Sequence, residues 1–473
     1  MNLKKLKKTK VVATIGPATE NKSQLLKLTK AGMNVARLNF SHGDFEEHGA
    51  RVKNIREVER ETGMSVAILQ DLGGVKIRIG DFENDSIVLK RGQKFILTTK
   101  KIIGNENKVY INYKKLPQEI EIGQKILLDD GTKELKTVAI KGEEIVTRVI
   151  NGGMIRSRRG VNIPNARLSV DALTPKDKND LKFAFEHQVD FVAISFVRQA
   201  KDILQLRKLL EKHNSQAKIV AKIETPEAIE NIDEIISATD VIMVARGDLA
   251  VEVPAQEVPH LQRMIIHKCQ VKGRPVIVAT QMMESMIKNP VPTRAEVADV
   301  ANAILNGTDA VMLSAETTVG DFPVEAVKMM AEIAKRTEEE IRYQPVKDNE
   351  KYTRATVNAV SRSVIRTALD VEAECIVALT ESGETARKIA RYRPKQIIIA
   401  LTPEEPTKRQ LSISYGCYAE SIAGFKTVSE TVAESKKILI EKRIVKKGDK
   451  VVIVAGIPFG KSGTTNMMIV EEV

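Results

Sequence analysis

Tryptophan is absent from this chain of 473 residues, and aromatic side chains of all kinds make up only 4% of it. Proteins that bind single-stranded nucleic acid stack bases on aromatic rings, so the composition argues against that class. The formal net charge of +12 and the pI of about 9.3 would suit a nucleic-acid partner. Lysine and arginine are spread along the chain, however, which favours anionic metabolites over nucleic acid.

Cysteine is also scarce, and long apolar runs are missing. The three cysteines are odd in number, scattered and without metal-ligand spacing, which predicts reduced thiols in a cytoplasmic protein: Cys269, Cys375 and Cys417. No apolar run approaches the length of a membrane span, so no membrane association is expected. The basic N-terminus leads into a short strand-like run, which is unlike a signal peptide.

The length predicts two to four domains, and apolar strands alternate with amphipathic helical stretches along much of the chain. Strand–helix alternation indicates a parallel sheet, and eight units indicate a closed (β/α)₈ TIM barrel. The eight predicted strands fall within 10–16, 34–40, 65–71, 190–196, 218–224, 240–246, 275–280 and 309–314.

Polar residues stand where these predicted strands end. They are Arg37, Asn39, Asp71, Ser195, Lys222, Glu224, Asp248, Thr280, Ser314 and Glu316. The carboxyl ends of the strands form the active-site face of this barrel, so we expect these side chains to converge. Lys222 and Glu224 are two apart and point to the same side of a strand. With Asp248 they suit a divalent metal that holds a phosphorylated ligand, although a structural ion pair is the alternative for this motif alone.

Between the third and fourth units, short Val/Ile/Leu runs alternate with turn signals. We interpret this segment as a small inserted β-barrel domain that closes over the site as a lid. A polar linker over 343–351 then leads into a third, α/β domain with a mostly parallel sheet. The predicted limits are 1–73 and 169–342 for the barrel, 74–168 for the insertion and 343–473 for the last domain.

Two turns in the last domain resemble phosphate-binding loops. Thr380-Glu-Ser-Gly-Glu-Thr385 lies between a predicted strand and a helix, and such a turn presents N–H groups to phosphate. An ordinary capped turn is the alternative. Gly456-Ile-Pro-Phe-Gly-Lys-Ser462 has one residue too few for a P-loop and precedes a strand. We therefore expect no nucleotide triphosphatase site there.

Taken together, the motifs make the chain resemble the pyruvate kinase family from end to end. They are Asn34-Val-Ala-Arg-Leu-Asn-Phe-Ser-His-Gly43, Ala221-Lys-Ile-Glu-Thr225, Ala245-Arg-Gly-Asp-Leu-Ala-Val-Glu252, Val278-Ala-Thr-Gln-Met-Met-Glu-Ser285, Pro292-Thr-Arg-Ala-Glu-Val-Ala-Asp299 and Met312-Leu-Ser-Ala-Glu-Thr317. The resemblance implies a barrel domain A, a lid domain B and a regulatory domain C in a homotetramer. It is closest to bacterial members without the extra phosphohistidine-like domain.

The resemblance also implies the reaction, which is phosphoryl transfer from phosphoenolpyruvate to ADP, giving pyruvate and ATP. The residues that match family positions are the metal ligands Glu224 and Asp248, the catalytic Lys222, Arg37, Thr280 and Ser314, and Gly247, Asp248 and Thr280 around the substrate carboxylate. Mg²⁺ is the implied metal, with Mn²⁺ as an alternative. Asn39, His42, Arg78 and Arg159 match the nucleotide side, and Arg159 replaces a common Lys.

Two further sites follow from the resemblance. Thr380, Ser382, Gly383 and Thr385 match the turn at which family members bind a phosphorylated effector. Asn39, Ser41, Asp71 and Leu72 match positions that hold K⁺ in many members. Those members have Thr in place of Leu72 and Glu in place of Lys76, and they usually have Pro in place of Val75. An ammonium at Lys76 would repel a second cation, so K⁺ is predicted not to be required.

Two other functions remain open from the sequence. A metal-dependent aldolase or lyase of the pyruvate class could use the same carboxylates on a TIM barrel, without needing the lid. A non-catalytic sensor of sugar phosphates could use the last domain alone, although it would have no use for Lys222, Glu224, Asp248 and Thr280. ADP-dependent formation of pyruvate distinguishes these from a kinase.

Overall fold

The computed structural model describes residues 3, 6–166, 168–341, 355–459 and 464–473. The chain begins with three parallel strands and two helices: β1 (Lys10–Thr14), α1 (Lys22–Ala31), β2 (Val35–Asn39), α2 (Phe45–Thr62) and β3 (Ala67–Asp71). Every residue of β1 and β3 is buried. This agrees with their apolar centres, because parallel strands are covered on both faces.

The insertion that follows β3 is almost entirely β-structure with a core of its own. Its elements are β4 (Ser86–Leu89), β5 (Lys94–Thr98), β6 (Lys108–Tyr110), α3 (Leu116–Glu119), β7 (Lys125–Leu128), β8 (Lys133–Lys141), β9 (Glu144–Asn151), β10 (Gly153–Arg156) and β11 (Val161–Asn162). Six strands form a sheet in the order β11-β7-β8-β9-β5-β6, and β10 pairs with β4. Phe95, Leu97 and Ile126 are fully buried in this core, which is separate from that of the barrel.

Five more strands then alternate with helices. The elements are α4 (Pro175–His187), β12 (Phe191–Ile194), α5 (Ala200–Lys212), β13 (Lys218–Ile223), α6 (Pro226–Glu230), α7 (Ile232–Ala238), β14 (Val241–Ala245), α8 (Arg246–Glu252), α9 (Val258–Lys272), β15 (Val276–Ala279), α10 (Arg294–Leu305), β16 (Ala310–Leu313), α11 (Ala315–Thr318) and α12 (Pro323–Glu340). The eight parallel strands close in the order β1-β16-β15-β14-β13-β12-β3-β2. The predicted (β/α)₈ barrel is confirmed.

A repeated polar contact orders the amino-terminal base of the barrel. In four pairs of neighbouring strands, the residue just before the second strand is Asn or Asp. Its side-chain oxygen accepts the backbone N–H at the start of the first strand. The pairs are Asn34 with Val11 N (3.0 Å), Asp190 with Ile68 N (2.8 Å), Asp240 with Ile219 N (2.9 Å) and Asp309 with Val276 N (3.0 Å). These bonds satisfy N–H groups that would otherwise be buried without acceptors.

The third unit is an α/β sheet with helices on its faces. Its elements are α13 (Thr356–Asp370), β17 (Cys375–Leu379), α14 (Glu384–Ala390), β18 (Ile397–Thr402), α15 (Glu405–Gln410), β19 (Cys417–Ser421), α16 (Val428–Glu441), β20 (Lys450–Gly456) and β21 (Thr465–Glu472). The strand order is β19-β18-β17-β20-β21, and only β21 is antiparallel to its neighbour. The mostly parallel sheet is therefore confirmed, whereas the predicted domain limits remain predictions.

Two regions lie outside these descriptions. The predicted linker over 343–351 falls outside the described residues, as do Lys461 and Ser462 of the glycine-containing turn. Over the described ranges, no helix combines the length and the apolar composition that a bilayer crossing requires.

Candidate active site

Lys222 lies at the centre of a compact charged cluster at the carboxyl end of β13. Its Nζ is 2.9 Å from Glu224 Oε1 and 3.5 Å from Asp71 Oδ1. It also donates a hydrogen bond of 2.7 Å to Ser195 Oγ. Lys222 and Glu224 therefore meet on one side of the strand, as their spacing of two predicts. Strands β3, β12 and β13 each contribute a residue at or just beyond their carboxyl ends.

The cluster keeps Lys222 positively charged. Burial alone would lower the pKa of the Lys222 ammonium, but the carboxylates of Asp71 and Glu224 outweigh it and raise that pKa above its ordinary value. Burial would likewise raise the pKa of Asp71, whereas Lys222 and Arg37 bring it below its ordinary value. The site thus presents a fixed positive charge whose counterions are buried beside it.

Arg37 adds a second positive charge, which two strands hold in place. Its Nε donates to Asp71 Oδ2 at 2.7 Å, and its Nη1 donates to Thr14 Oγ1 at 2.8 Å. These contacts leave Arg37 Nη2 as the remaining terminal nitrogen of the fork. A guanidinium fixed in this way suits a phosphate oxygen.

Glu224 and Asp248 fit a divalent metal. Glu224 is fully buried; its Oε2 accepts the Phe196 N–H at 2.7 Å, and its Oε1 is paired with the Lys222 ammonium at 2.9 Å. Burial, then the charge of Asp248, raises the pKa of Glu224 despite the nearby Lys222. Mg²⁺ takes one or two carboxylates and completes its octahedron with water and substrate phosphate. Among the described residues there is no cluster of three or more such metal ligands, and a site of this kind needs none.

Gly247 and Thr280 meet where strands β14 and β15 end. The Gly247 N–H donates to Thr280 Oγ1 at 2.7 Å, and that hydroxyl donates to Ala279 O at 2.5 Å. Thr280 has a φ of 69°, which is unusual for a β-branched residue. Backbone strain of this kind is characteristic of functional sites. The structure thus brings together two of the three residues predicted to bind the substrate carboxylate.

Arg246 holds the strained turn in place, and the sequence did not single it out. Its Nη2 donates to Thr280 O at 2.8 Å and to Gln281 O at 3.1 Å. Its Nη1 lies 2.6 Å from Asp299 Oδ2. Both residues lie within quoted motifs; Arg246 ends the predicted strand 240–246 and could have been included with the other strand-end residues, whereas Asp299 lies inside α10 and carries no such signal.

The predicted monovalent-cation region contains a lysine ammonium. Lys76 Nζ donates to Ser41 Oγ at 2.9 Å, and Ser41 N donates to Asn39 Oδ1 at 3.1 Å. The Leu72 carbonyl, another predicted ligand, accepts from Ser195 Oγ at 2.9 Å. The positively charged end of Lys76 is therefore bonded to one of the groups that K⁺ would need.

These groups surround a small cavity of about 120 Å³. It is lined by Arg37, Asn39, Ser41, Asp71, Leu72, Gly73, Lys76, Ser195, Phe196, Lys222, Glu224 and Asp248. A second cavity of about 540 Å³ lies between the insertion and the barrel, and both cavities contact Lys76, Phe196 and Asp248. The small cavity can hold a compact anionic substrate, and the larger one lies next to it.

The chain matches two protein-family models along most of its length. Residues 6–327 match the model for the barrel domain of pyruvate kinase, and residues 358–471 match the model for its alpha/beta domain. The chain belongs to the pyruvate kinase family. The predicted family is therefore confirmed, and neither the aldolase nor the sensor is favoured.

Relatives in the pyruvate kinase family resemble the chain over nearly its whole length. The pyruvate kinase of Geobacillus stearothermophilus is 47% identical over 470 residues, covering 98% of this chain and 80% of that protein. That of Clostridium acetobutylicum is 44% identical over 474 residues, covering 99% of this chain and all of that protein. The crystal structure of a pyruvate kinase from Cryptosporidium parvum has a TM-score of 0.93 at 36% identity, covering 98% and 96% of the two chains.

The residues of this chain that are predicted to contact the nucleotide are spread over the cleft. Arg78 and Arg159 both line the 540 Å³ cavity, and Arg159 Nε is 3.5 Å from Asp129 Oδ1. His42 is exposed beyond β2 and lines neither of the two cavities described above. Burial, then the charge of Lys76, lowers the pKa of His42. His42 is therefore expected to be neutral near pH 7.

Ser314 lies beyond the end of β16, apart from the small cavity. Its backbone N–H donates to Glu316 Oε2 at 2.7 Å, and Met283 N donates to Glu316 Oε1 at 3.2 Å. The buried Glu316 thus ties together the ends of β15 and β16. Neither Ser314 nor Thr280 is among the residues that line the 120 Å³ cavity. Their predicted role in proton delivery remains a prediction.

The turn predicted to bind an effector lies between β17 and α14, as the sequence indicates. Thr380 Oγ1 accepts the Gly383 N–H at 2.9 Å, and Gly383 has a φ of 79°. Thr385 is buried, and its hydroxyl shares a hydrogen bond of 3.0 Å with Thr465. Ser382 is half-buried, and its carbonyl accepts from Arg387 Nη2 at 2.9 Å. The hydroxyls of Thr380 and Thr385 thus have bonding partners within the unit.

One contact between the insertion and the barrel was not predicted. Asn162 Nδ2, on β11, donates to Glu252 Oε1 at 2.8 Å. Glu252 is the last residue of α8, the helix whose first turn carries Asp248. Glu252 belongs to a quoted motif, but no local pattern connects it with a residue 90 positions earlier.

Proposed function

We propose that this chain catalyses phosphoryl transfer from phosphoenolpyruvate to ADP, giving pyruvate and ATP. The observation that carries the proposal is the buried Lys222 ammonium beside Glu224, Asp71 and Ser195 at the mouth of the barrel. Arg37 faces the same small cavity. This is the charge arrangement that a transferring phosphoryl group and an enolate require.

Lys222 would stabilise charge in two places. Its Nζ would contact the phosphoryl group during transfer and the enolate oxygen that remains. Because its counterions are already in place, little reorganisation accompanies the reaction, which is the main advantage of a preorganised site. Arg37 would bind a phosphate oxygen and orient the group for in-line attack.

Glu224 and Asp248 would hold Mg²⁺, with Mn²⁺ as an alternative. When bound, the ion would neutralise phosphate charge and template the in-line transfer. The Gly247 and Asp248 N–H groups and the Thr280 hydroxyl would bind the substrate carboxylate. Thr280 Oγ1 and Ser314 Oγ would lie on the proton route to C3 of the enolate, through water. Asn39, His42, Arg78 and Arg159 would contact ADP.

The experiment is a lactate-dehydrogenase-coupled assay of ADP-dependent pyruvate formation. Lys222→Met removes one ammonium and is expected to lower kcat by more than about a thousandfold, the upper range for loss of one preorganised electrostatic group. Lys218→Met is the matched control, since Lys218 lies at the opposite end of the same strand. It should retain activity within about twofold, as expected away from the reacting atoms.

Folding and metal binding are measured alongside activity. Lys222→Met should keep the wild-type circular dichroism spectrum and should still bind Mn²⁺. Wild-type turnover by a soluble Lys222→Met protein would contradict the role given to Lys222. Absence of pyruvate formation by the wild-type enzyme in the presence of Mg²⁺ would contradict the proposed reaction itself.

Two further features of the proposal are inferred from membership of the pyruvate kinase family. We infer that the protein is a cytoplasmic homotetramer. Size-exclusion chromatography with light scattering measures the mass of the assembly and so tests the tetramer directly. We also infer a phosphorylated effector at Thr380, Ser382, Gly383 and Thr385. The position of this turn between β17 and α14 supports that inference.

A further inference from the structure

A narrow slot lies between the base of the barrel and the third unit. Barrel residues Gln270, Gly273, Arg274, Pro275 and Asp309 line one side of it; Arg387, Ala390, Arg391, Arg393 and Ser414 line the other. Its volume of about 10 Å³ is enough for one particle of roughly the size of a water molecule. The slot is at the amino-terminal end of strands β15 and β16, opposite to the candidate active site.

The lining of the slot is strongly positive. It contains four arginines, and Asp309 is the only acidic residue among the described residues that line it. The excess charge affects a neighbouring lysine: burial lowers the pKa of Lys388, and the charges of Arg391 and Arg274 lower it further. An enclosed site with such an excess of positive charge attracts an anion.

Two buried groups in the lining have no hydrogen-bond partner among the described residues. Ser414 is 1% exposed, and its Oγ is unpaired. Arg393 Nε is buried and is likewise unpaired. Buried polar groups are normally satisfied, so two unpaired groups at one small cavity indicate an occupant. Because Nε can only donate and the hydroxyl can donate, the occupant must be an acceptor.

The acceptor capacity of Asp309 is already used. Its Oδ1 accepts from Arg393 Nη1 at 2.8 Å and from Tyr415 N at 3.0 Å. Its Oδ2 accepts from Arg393 Nη2 at 2.8 Å and from Val276 N at 3.0 Å. A carboxylate has about four acceptor positions, so it has none left for the hydrogens of a water molecule. Together with the excess of positive charge in the lining, this favours an anion over water.

We propose that the slot between the barrel base and the third unit binds a single chloride ion. Ser414 Oγ and Arg393 Nε would donate to the ion, and the guanidinium groups of Arg274 and Arg387 would supply its counter-charge. Chloride is larger than a water molecule, so the lining must separate slightly to hold it, whereas phosphate and sulfate are much too large for this volume. Because residues of both units line the slot, the bound ion would strengthen their contact.

The test measures the melting temperature of the full chain as sodium chloride replaces sodium gluconate at constant ionic strength. An ion that binds only the native state raises the melting temperature by about 2–5 °C at a hundredfold excess over its Kd. The rise should saturate with chloride concentration. A change that is the same for both salts, or that does not saturate, would overturn the proposal.

Ser414→Ala removes one donor and keeps every charge. In gluconate this variant should melt at or above the wild-type temperature, because its buried hydroxyl has no partner to lose. In chloride it should lose at least half of the wild-type increment. Ser435→Ala is the matched control, since its buried hydroxyl donates to Thr431 O at 2.7 Å outside the slot. It should melt lower in both salts and keep the full increment. An equal increment in all three proteins would refute the site.

Crystals of the wild-type enzyme grown in sodium bromide give a direct readout that does not depend on a variant. An anomalous peak between Ser414 and Arg393 is expected. Water alone at that position, in bromide and in chloride, would overturn the assignment. The kcat of Ser414→Ala at saturating substrates should stay within twofold of the wild-type value, which separates this site from the proposed reaction.

Discussion

Lys76 is the residue that most distinguishes this candidate site from the family pattern. Its Nζ donates to Ser41 Oγ at 2.9 Å, within the region predicted for a monovalent cation. Burial lowers the pKa of Lys76, and the charges of Lys222 and Arg78 lower it further. A K⁺ about 4 Å from such an ammonium would be repelled by about 4 kcal/mol near a protein surface. Activity without K⁺ is therefore the expected behaviour.

The test of K⁺ independence replaces a bulky-cation chloride with KCl at constant ionic strength. The initial rate of the wild-type enzyme should change by less than about twofold, because Lys76 supplies the positive charge itself. Lys76→Glu should lower the rate at least about tenfold without K⁺ and should recover with it, since a carboxylate favours a bound cation.

Lys76→Met is the neutral control for the same position. It removes the ammonium without adding an acceptor, so it should lose rate with little recovery in K⁺. A large rise of the wild-type rate with K⁺ would contradict the prediction. Val75 stands where the family resemblance implies a Pro, and a Val restricts the backbone less, so substrate saturation is measured for each variant.

Site residues at the ends of strands could be predicted from the sequence, because the alternation of side chains along a strand depends only on local sequence. Lys222 and Glu224 follow from a period of two on a recognisable strand. Thr14 also ends a strand, and the same rule would have found this partner of Arg37. Arg246 also ends a predicted strand, but its contacts with Thr280 O and Asp299 could not be found in this way, because they depend on the path of a strained turn.

Helix α8 is the element that connects the insertion with the candidate metal ligand. Its first turn carries Asp248, and its last residue, Glu252, accepts a hydrogen bond from Asn162 of the insertion. Burial raises the pKa of Glu252, and Asp248 and Glu227 raise it further, whereas the bond from Asn162 lowers it. We therefore expect the position of the insertion to be coupled to the helix that carries Asp248.

Asn162→Ala is expected to lower kcat/KM about tenfold, since a hydrogen bond to a charged group contributes about 1.5–3 kcal/mol. The melting temperature should change by less than about 3 °C, because the bond joins two units and does not support either core. Asn151→Ala is the control, an exposed asparagine at the end of β9 in the same insertion. Equal effects of the two variants would contradict the coupling.

The turn Thr380–Thr385 gives a prediction for a second element. Fructose 1,6-bisphosphate, ribose 5-phosphate, glucose 6-phosphate and AMP are titrated at sub-saturating phosphoenolpyruvate. At least one should shift the half-saturation point, by about 5–150-fold for typical allosteric coupling. Ser382→Ala should weaken that response, because its hydroxyl is a predicted ligand. No shift with any of the four compounds would count against the effector site.

Long elements could be predicted from periodicity, whereas short ones could not. The strands of the barrel appear where the apolar runs indicate, and α10 spans Arg294–Leu305 as expected. Helices α8 and α11 have only seven and four residues, too few to show an amphipathic period. Their ends are set by tertiary contacts, such as those that Glu316 makes with two strand ends.

At the scale of the whole molecule, buried ion pairs join the third unit to the base of the barrel. Arg393 forms a double hydrogen bond with Asp309, at 2.8 Å to each carboxylate oxygen. Arg409 Nε contacts Asp190 Oδ1 at 2.7 Å, and Arg56 of the barrel contacts the other oxygen at 2.9 Å. Sequence could not predict these pairs, because their partners are between 84 and 219 positions apart.

The two pairs should respond differently when the arginine of the third unit is removed. Arg393→Met leaves the buried carboxylate of Asp309 with two backbone N–H donors but without the charge of its arginine, so the cost should be about 3–5 kcal/mol. Arg409→Met should cost less, because Asp190 keeps Arg56 and the Ile68 N–H. Melting temperatures are measured in chloride-free gluconate, so that any ion in the slot does not contribute.

Arg366→Met provides the surface reference for this comparison. Its pair with Asp370 is exposed on α13, with side-chain exposures of 61% and 54%, so its loss should cost less than about 1 kcal/mol. The expected order of melting temperatures is Arg366→Met, then Arg409→Met, then Arg393→Met, from highest to lowest. Equal values for the last two would mean that Arg56 does not compensate for Arg409. A carboxylate that stays buried without its partner must destabilise the fold. If the melting temperature of Arg393→Met were as high as that of Arg366→Met, the Asp309 pair would therefore not hold the two units together.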